Sequence, residues 1–562
     1  MFEWERSPGR WVVDPLELQR GSLFRRCWSN LSVSNGEAMP ERMRMTLWRG
    51  PILLAFTLGA MAAGCERTPV KPAAATAAAT TQAAAVQNHG PARAQGGAGA
   101  AGTAASSQPA GGRQAGPNVV VFLIDTLRAD RIGAYGYTKR ETAPTMDALA
   151  RAGVVFEQAY SPSPWTAPTV AALFTSTFPN ENNHIRFRSR LDDRFRTLAQ
   201  RLGQVKYFTY GLSASAFVSK EFGLARGFAA FAAAPMIDGE KVENVFGVVY
   251  RAPFFFYIHN VEPHDPYFYA PAETPGFRTV SAERRAEIKE SYSKYKAALG
   301  ADKTDGVPTW SDAHDERVAA CLRELDAQRE DYSELYDATV RAADHNIAST
   351  IETLKRRGAW ENTILVVTAD HGEEMGEHGG WLHGQSVYEE QVRIPLIVRF
   401  PKDEFAGTRV GQPVSLVDLA PTILEWAGAP NATEGMRGRS LGPLIRGEAG
   451  AADEPVLVSV RHNMNEFYGV WHKQRGEINL AARLGKWKAI WNVEPQTLEL
   501  YDVQADPGEK KNVAGDNAGV SERLRAFLVS AHEWGKANAA PIQVITPQSD
   551  TMKKLKTIGY VE

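Results

Sequence analysis

Four side chains of this chain could share one piece of chemistry. Asp125 ends the apolar run NVVVFLI, Thr166 opens the stretch TAPTVAALFTS, and Asp370-His371 end the run TILVVTA. A further histidine, His264, follows PFFFYIH. Carboxylates and an imidazole around one open position suit a hard or borderline divalent cation. Such a cation lowers the pKa of a hydroxyl and neutralises a tetrahedral oxyanion ester. A helix starting at Thr166 would add backbone N–H donors for the same anion. Each piece also has a plainer role: a strand-end Asp as a turn residue, ADHG as a turn, Thr166 as an N-cap. Thr166 thus has two readings, cap or nucleophile.

Strands and helices must bring these residues together. Val119 to Ile124 is a continuous apolar run, the pattern of a strand buried on both faces of a parallel sheet. YFTYGLSAS, PFFFYIH, TILVVTADHG and IPLIVRF fit the same sheet, with helical stretches between them such as APTMDALARAG and DYSELYDATVRAADHNIASTIETLKRRG. Alternating strands and helices predict an α/β fold with its ligands at the C-terminal strand ends. After about residue 450 the pattern changes to short β-like runs, PVLVSVRH, KWKAIWN and LELYDV, and then a helix, SERLRAFLVSAHEWG. These predict a small antiparallel sheet with one helix on it.

The 562 residues are 44% hydrophobic and 23% charged with net charge −2, a globular composition. That balance gives no electrostatic case for nucleic acid. Cys27, Cys65 and Cys321 lie far apart, so neither a disulfide framework nor a thiolate zinc site is expected. Near the N-terminus, Arg42, Arg44 and Arg49 precede the apolar PILLAFTLGAMAA, which ends in AAGC. That length is a signal-peptide core, and the small residues before Cys65 resemble a bacterial lipobox. The domain reading is therefore 1–38 an upstream extension from a misassigned start, 39–64 a lipoprotein-type signal, and 65–117 a lipidated Cys65 with a disordered Ala/Gly-rich linker. A catalytic domain at 118–450 and a C-terminal subdomain at 451–562 follow. The expected location is the bacterial cell envelope, on its periplasmic or extracellular face, anchored to the membrane by the N-terminal lipid.

From Asn118 onward the chain resembles the sulfatase family of the alkaline phosphatase superfamily. The resemblance rests on NVVVFLIDTLRADRIGAYGY, SPSPWTAPTVAALFTSTFP, EPHDPY, TADHGEEMGEHGGWLHGQSVYEEQVRIPLIVRFP, VSLVDLAPTILEWAG and LELYDVQADPGEKKNV, in that order. It implies an alkaline-phosphatase-like sandwich: a central, mostly parallel sheet flanked by helices, plus the small C-terminal antiparallel sheet. It implies that Asp125, Asp370 and His371 are metal ligands and that Thr166 is the nucleophile and also touches the metal. It implies that His264 handles the ester oxygen or leaving group. His378 in GEHG, His383 in WLHG and Arg128, three residues after the first ligand, fall where further active-site groups occur. One divalent ion (Ca, Mg, Mn or Zn) is expected, with His371 leaning away from Ca.

The chain departs from the family at the nucleophile. Typical sulfatases carry Cys (or Ser)-x-Pro-x-Arg and oxidise the first residue to formylglycine. Here Thr166, Ala167, Pro168, Thr169 and Val170 stand in those places, and Thr126 replaces the second Asp of the usual pair. Threonine carries a methyl on its β-carbon and cannot yield the aldehyde, so no formylglycine is expected. A Thr166 sulfate has no collapse to a carbonyl by which to expel sulfate, whereas water can attack phosphorus in a phosphothreonine. The expected activity is metal-dependent hydrolysis of sulfuric or phosphoric mono- or diesters, small-molecule or glycan. The alternatives are a phosphoryl transferase of the phosphoethanolamine-transferase type and a non-catalytic glycan-binding protein. Specificity is expected in loops 265–315 and 461–480, where Tyr267, Tyr269, Trp310 and Trp471 are candidates for stacking on a sugar or aryl group.

Overall fold

In the computed structural model the described residues are 116–548, 551 and 553, without 250–252, 268–273, 300–301, 305–306, 310–311, 449–453 and 463–475. The signal, Cys65, Tyr269, Trp310 and Trp471 lie outside them.

Three apolar runs form the middle of one sheet. β1 (Asn118–Ile124) is buried at all seven positions. Eight strands make up the sheet, the others being β2 (Val154–Phe156), β3 (Phe208–Ser213), β4 (Ala230–Ala233), β5 (Phe254–Asn260), β6 (Thr363–Ala369), β7 (Leu396–Arg399) and β8 (Thr408–Val410). Their order is β8-β2-β7-β6-β1-β5-β3-β4. Every neighbouring pair is parallel except the two made by β7, which runs against β6 and β2. The run IPLIVRF thus joins the expected sheet in the reverse sense. β1, β5 and β6 carry apolar side chains on both faces, as burial under helices on both sides requires.

Register sets the site. Ile124 pairs with Ala369 of β6 and with Asn260 of β5, and Leu123 pairs with His259. The residues that follow, Asp125 and Asp370, therefore leave the sheet side by side, next to His259.

Helices flank the sheet. α1 (Pro144–Ala152) packs on β7, and the 28-residue α3 (Arg329–Arg356) packs on α1. α2 (Thr166–Thr175) buries all ten of its residues. Its small and aliphatic side chains, Ala167, Val170, Ala171, Ala172 and Leu173, allow that. It stops at Ser176, whose φ of 55° ends the helical repeat while its N–H bonds Ala172 O.

The C-terminal sheet is an antiparallel meander of β9 (Val456–His462), β10 (Ile478–Leu484), β11 (Trp487–Asn492) and β12 (Thr497–Asp502). β10 is a strand that the sequence reading omits. Alternation divides the meander's two faces. Val460, Leu480, Trp491 and Leu500 meet Leu524 and Leu528 of α4 (Ala518–Asn538). Val458, Ala481, Ile490 and Tyr501 meet Tyr160, Val387, Tyr388 and Val392 of the larger part. Both sheets belong to one compact unit.

Candidate active site

Thr166 is the first residue of α2, but its side chain is not the cap. The capping position is Trp165, in extended conformation and without a side-chain cap bond. The chain before the helix is held by Thr169, whose Oγ1 donates to Ser163 O at 2.8 Å and lies 3.0 Å from Ser161 Oγ. Thr166 Oγ1 points instead to the strand ends, 3.3 Å from His371 Nε2 and 3.5 Å from Asp125 Oδ2.

The groups around it converge. His371 Nε2 lies 3.4 Å from Asp370 Oδ2 and 3.6 Å from Asp125 Oδ1. The other nitrogen, Nδ1, donates to Gly372 O at 2.9 Å, so Nε2 presents a lone pair to two carboxylate oxygens and a hydroxyl. Asp125 Oδ1 and Asp370 Oδ2 are buried and have no hydrogen-bond partner. Buried acceptors facing one another are costly unless a cation lies between them. Three oxygens and one imidazole nitrogen make a donor set that fits a borderline divalent ion such as zinc or manganese. The Asp125, Asp370 and His371 ligand atoms lie within 4.8 Å of one another.

The remaining oxygens are fixed by neighbours. Asp370 Oδ1 accepts from His371 N at 2.9 Å and from Thr126 N at 3.2 Å. Thr126 takes a φ of 57°, a conformation costly for a β-branched residue. Its carbonyl is held by Tyr336 Oη at 2.7 Å. Asp125 Oδ2 receives His259 Nε2 at 3.2 Å, and Tyr257 Oη lies 2.9 Å from His259 Nδ1. The tyrosine donates to Nδ1, and Nε2–H donates to the carboxylate. His259 is absent from the sequence reading, although it is the polar residue that interrupts FFFYI near the strand's end.

Charge follows the geometry. Burial works to raise Asp125, but the neighbouring histidines, His264 foremost, and the bond from His259 bring it down to about 2. Asp370 goes up, through burial and then the Asp125 charge. His264 Nδ1 lies 2.9 Å from Asp265 O and 3.1 Å from Asp265 Oδ1. Burial opposes its protonation, yet Asp265 and Asp125 outweigh that and raise its pKa. His383 is also in this cluster, its ring 4.5 Å from that of His371 and 5.0 Å from that of His264. Burial, and then its neighbours His371, His264 and Lys296, hold it well below the usual histidine range. Its Nδ1 lies 3.1 Å from Glu373 Oε1, another buried carboxyl.

Two expected site residues stand elsewhere. Arg128 is folded back on Asp130, by bonds of 2.9 and 2.7 Å, and on Glu377 at 2.6 Å and Glu373 O at 2.8 Å. Its guanidinium is committed to these oxygens and is not presented to an anion beside Thr166. His378 bonds Glu390 Oε1 at 2.6 Å and Glu509 O at 3.2 Å and stacks on Tyr388 with ring centroids 3.6 Å apart. It belongs to the joint with the C-terminal sheet. Tyr267 is no stacking platform either: it is buried edge-on against Tyr332 and Tyr336.

A cleft leads to Thr166, lined also by Asp125, His264, Val261, Glu262 and Met236.

Residues 117–429 match the family described as sulfatase, and residues 376–532 match the one described as N-sulphoglucosamine sulphohydrolase, C-terminal. An N-acetylglucosamine-6-O-sulfatase of Bacteroides thetaiotaomicron is 23% identical over 71% of this chain and 83% of its own length. A delta 4,5-hexuronate-2-O-sulfatase of the same organism is 26% identical over 71% and 85%. Among solved structures, a phosphonate monoester hydrolase of Agrobacterium radiobacter superposes with a TM-score of 0.55 at 21% identity, covering 75% of this chain and 96% of that one. A structure solved with its substrate D-glucosamine-2-N,6-O-disulfate gives 0.57 at 21%, covering 75% and 99%.

Proposed function

The chain belongs to the sulfatase family, and on that premise we propose that it is a metal-dependent ester hydrolase of the cell envelope whose nucleophile is Thr166. The observation that carries this is the convergence of Thr166 Oγ1, Asp125 Oδ1, Asp370 Oδ2 and His371 Nε2, with two of the carboxylate oxygens buried and unpartnered. A divalent ion held by these four would lower the pKa of the threonine hydroxyl and offset the charge of the ester. Thr166 Oγ1 releases its proton to solvent in the cleft and bonds the central atom of the ester as the bond from that atom to the departing oxygen breaks. The N–H groups of Thr166 and Ala167, the first two of α2, would meet the developing charge. His264, lining the same cleft and raised in pKa, gives a proton to the departing ester oxygen. Water, giving a proton to the now neutral His264, then attacks the central atom of the threonine ester; the bond from that atom to Thr166 Oγ1 breaks and the oxygen takes up a proton from solvent.

The last step favours phosphorus. A phosphothreonine is open to attack by water at phosphorus, whereas a sulfothreonine lacks the carbonyl-forming exit that a formylglycine hydrate has. The favoured substrates are therefore phosphoric or phosphonic esters, on a frame whose named relatives include sulfatases. The test is turnover of aryl phosphate mono- and diesters, phosphonate esters and sulfate esters, with metal add-back. Thr166→Ala is expected to lower kcat on the best of them about 1,000-fold or more, and Thr166→Ser about tenfold or less. Peptide mapping after a rapid acid quench is expected to find the adduct on Thr166. Full turnover by Thr166→Ala would show that Thr166 is not the nucleophile.

A further inference from the structure

The cleft beside Thr166 has a second chamber. The inner one holds Thr166, Asp125 and His264 and has apolar walls from Ala214, Pro235 and Val261. The outer one is lined by Lys241, Thr274, Arg341, His345 and Asn346. Met236 and Glu262 line both. The two chambers therefore adjoin at these two side chains.

Glu262 is buried, with 4% of its surface exposed. Its Oε1 accepts from Asn346 Nδ2 at 2.8 Å, while its Oε2 is buried without a partner. The Thr274 hydroxyl, on the outer chamber, is also buried and unpartnered. Two polar atoms left unsatisfied along one cleft call for hydrogen bonds from what enters it. The outer chamber's cations are already matched: Lys241 pairs with Asp238, and Arg341 lies 3.5 Å from Glu141. The chamber therefore suits a neutral hydroxylated group better than a second anion. Burial pushes the Glu262 carboxyl up to about 7 against hydrogen bonding from its own backbone and then from Asn346, Asn260 and Val261, so this residue does not import a full negative charge beside an anionic ester.

We propose that Glu262 is a specificity-determining residue, whose Oε2 accepts a hydrogen bond from a hydroxyl of a glycosyl-type, polyhydroxylated leaving group. The proposal rests on reading the Thr166 site as an ester hydrolase and adds the class of alcohol it releases. A site built to pair a substrate hydroxyl discriminates strongly against an analogue that lacks it, because the buried acceptor is then left alone.

The experiment uses the full chain with matched primary-alkyl esters, glucose 6-phosphate and cyclohexylmethyl phosphate, which lacks the ring hydroxyls. In the wild-type protein kcat/KM is expected to favour the glucosyl ester. Glu262→Ala is expected to reduce that preference about tenfold or more, mainly through KM, and Glu262→Gln to retain part of it. Parallel losses on both esters, or an unchanged preference, would overturn the proposal. Binding separates this from failure of the catalytic reading. In a Thr166→Ala background, calorimetry is expected to show glucose 6-phosphate binding about tenfold more tightly with Glu262 intact than with Glu262→Ala. Equal affinities in that pair overturn the role of Glu262 whatever the turnover assays give. An intact binding difference without turnover overturns the Thr166 chemistry alone. Binding that prefers phosphoethanolamine to glucose 6-phosphate would also overturn it, by making the recognised donor an ammonium.

Discussion

Asp125 serves two neighbours with its two oxygens. Oδ2 takes the His259 N–H at 3.2 Å, which turns Oδ1 toward His371 and Asp370. The chain Tyr257–His259–Asp125 is thus an outer support that aims the ligand we propose in Asp125, the reverse of the common arrangement in which a carboxylate aims a histidine. Such supports are worth about 10–100-fold in metal affinity. His259→Ala is accordingly expected to weaken divalent-ion binding by about that factor, measured by competition with a chromogenic chelator. Asp370→Asn, which removes a charge, is expected to abolish stoichiometric metal in elemental analysis. Unchanged affinity in His259→Ala would mean that its bond to Asp125 is incidental.

The hairpin formed by Glu374–Met375 and Trp381–Leu382 carries His378 into the joint between the two sheets. Both ring nitrogens face acceptors, Glu390 Oε1 and Glu509 O, an arrangement that only the doubly protonated imidazolium satisfies. Beside it the buried Lys488 bridges Glu389 at 2.9 Å and Glu509 at 3.0 Å. Burial disfavours the His378 charge, but the bond and charge of Glu390 outweigh it and raise the folded pKa. A folded pKa above the unfolded value of about 6.5 gives stability that is fully present below that pH and is lost as pH rises through the folded value. His378→Ala is expected to cost about 2 kcal/mol at pH 6 and clearly less at pH 9, read by guanidinium unfolding. An equal cost at both pH values would mean that the stack on Tyr388, not the charge, is what His378 contributes.

At the scale of the whole chain, the catalytic unit follows a segment of more than a hundred residues whose signal-like core ends at Cys65. Among the described residues no helix is long and apolar enough to cross a membrane. From the lipobox-like residues before Cys65 we propose its lipidation as the attachment, with the Ala/Gly-rich stretch after it as a tether. In an expressing bacterium the protein is expected to incorporate labelled palmitate and to sediment with membranes until detergent is added. Cys65→Ala is expected to abolish the label. Label retained without Cys65 would place the modification, or the anchor, elsewhere.

Sequence alone carried the α/β architecture, because strands buried on both faces must be apolar at every position, and NVVVFLI and TILVVTA are. It also carried the meeting of Asp125, Asp370 and His371, a group able to hold a metal ion, since these residues directly follow such strands and parallel register brings strand ends together. It could not decide whether Thr166 caps its helix; the conformation of Trp165 and the bonds of Thr169 show that it does not, and leave Thr166 Oγ1 to the strand ends, where we propose it acts as nucleophile. Nor could it place His378 and Arg128, whose local motifs fit a site residue but whose partners, Glu390, Glu509 and Glu377, arrive from other parts of the chain. His259 and Glu262 escaped it for the same reason. A polar residue within or just after an apolar strand looks like punctuation until the fold shows which carboxylate or which cleft it faces. Periodicity and spacing are local and survive in one dimension, whereas a side chain's hydrogen-bond partners are fixed only by tertiary packing.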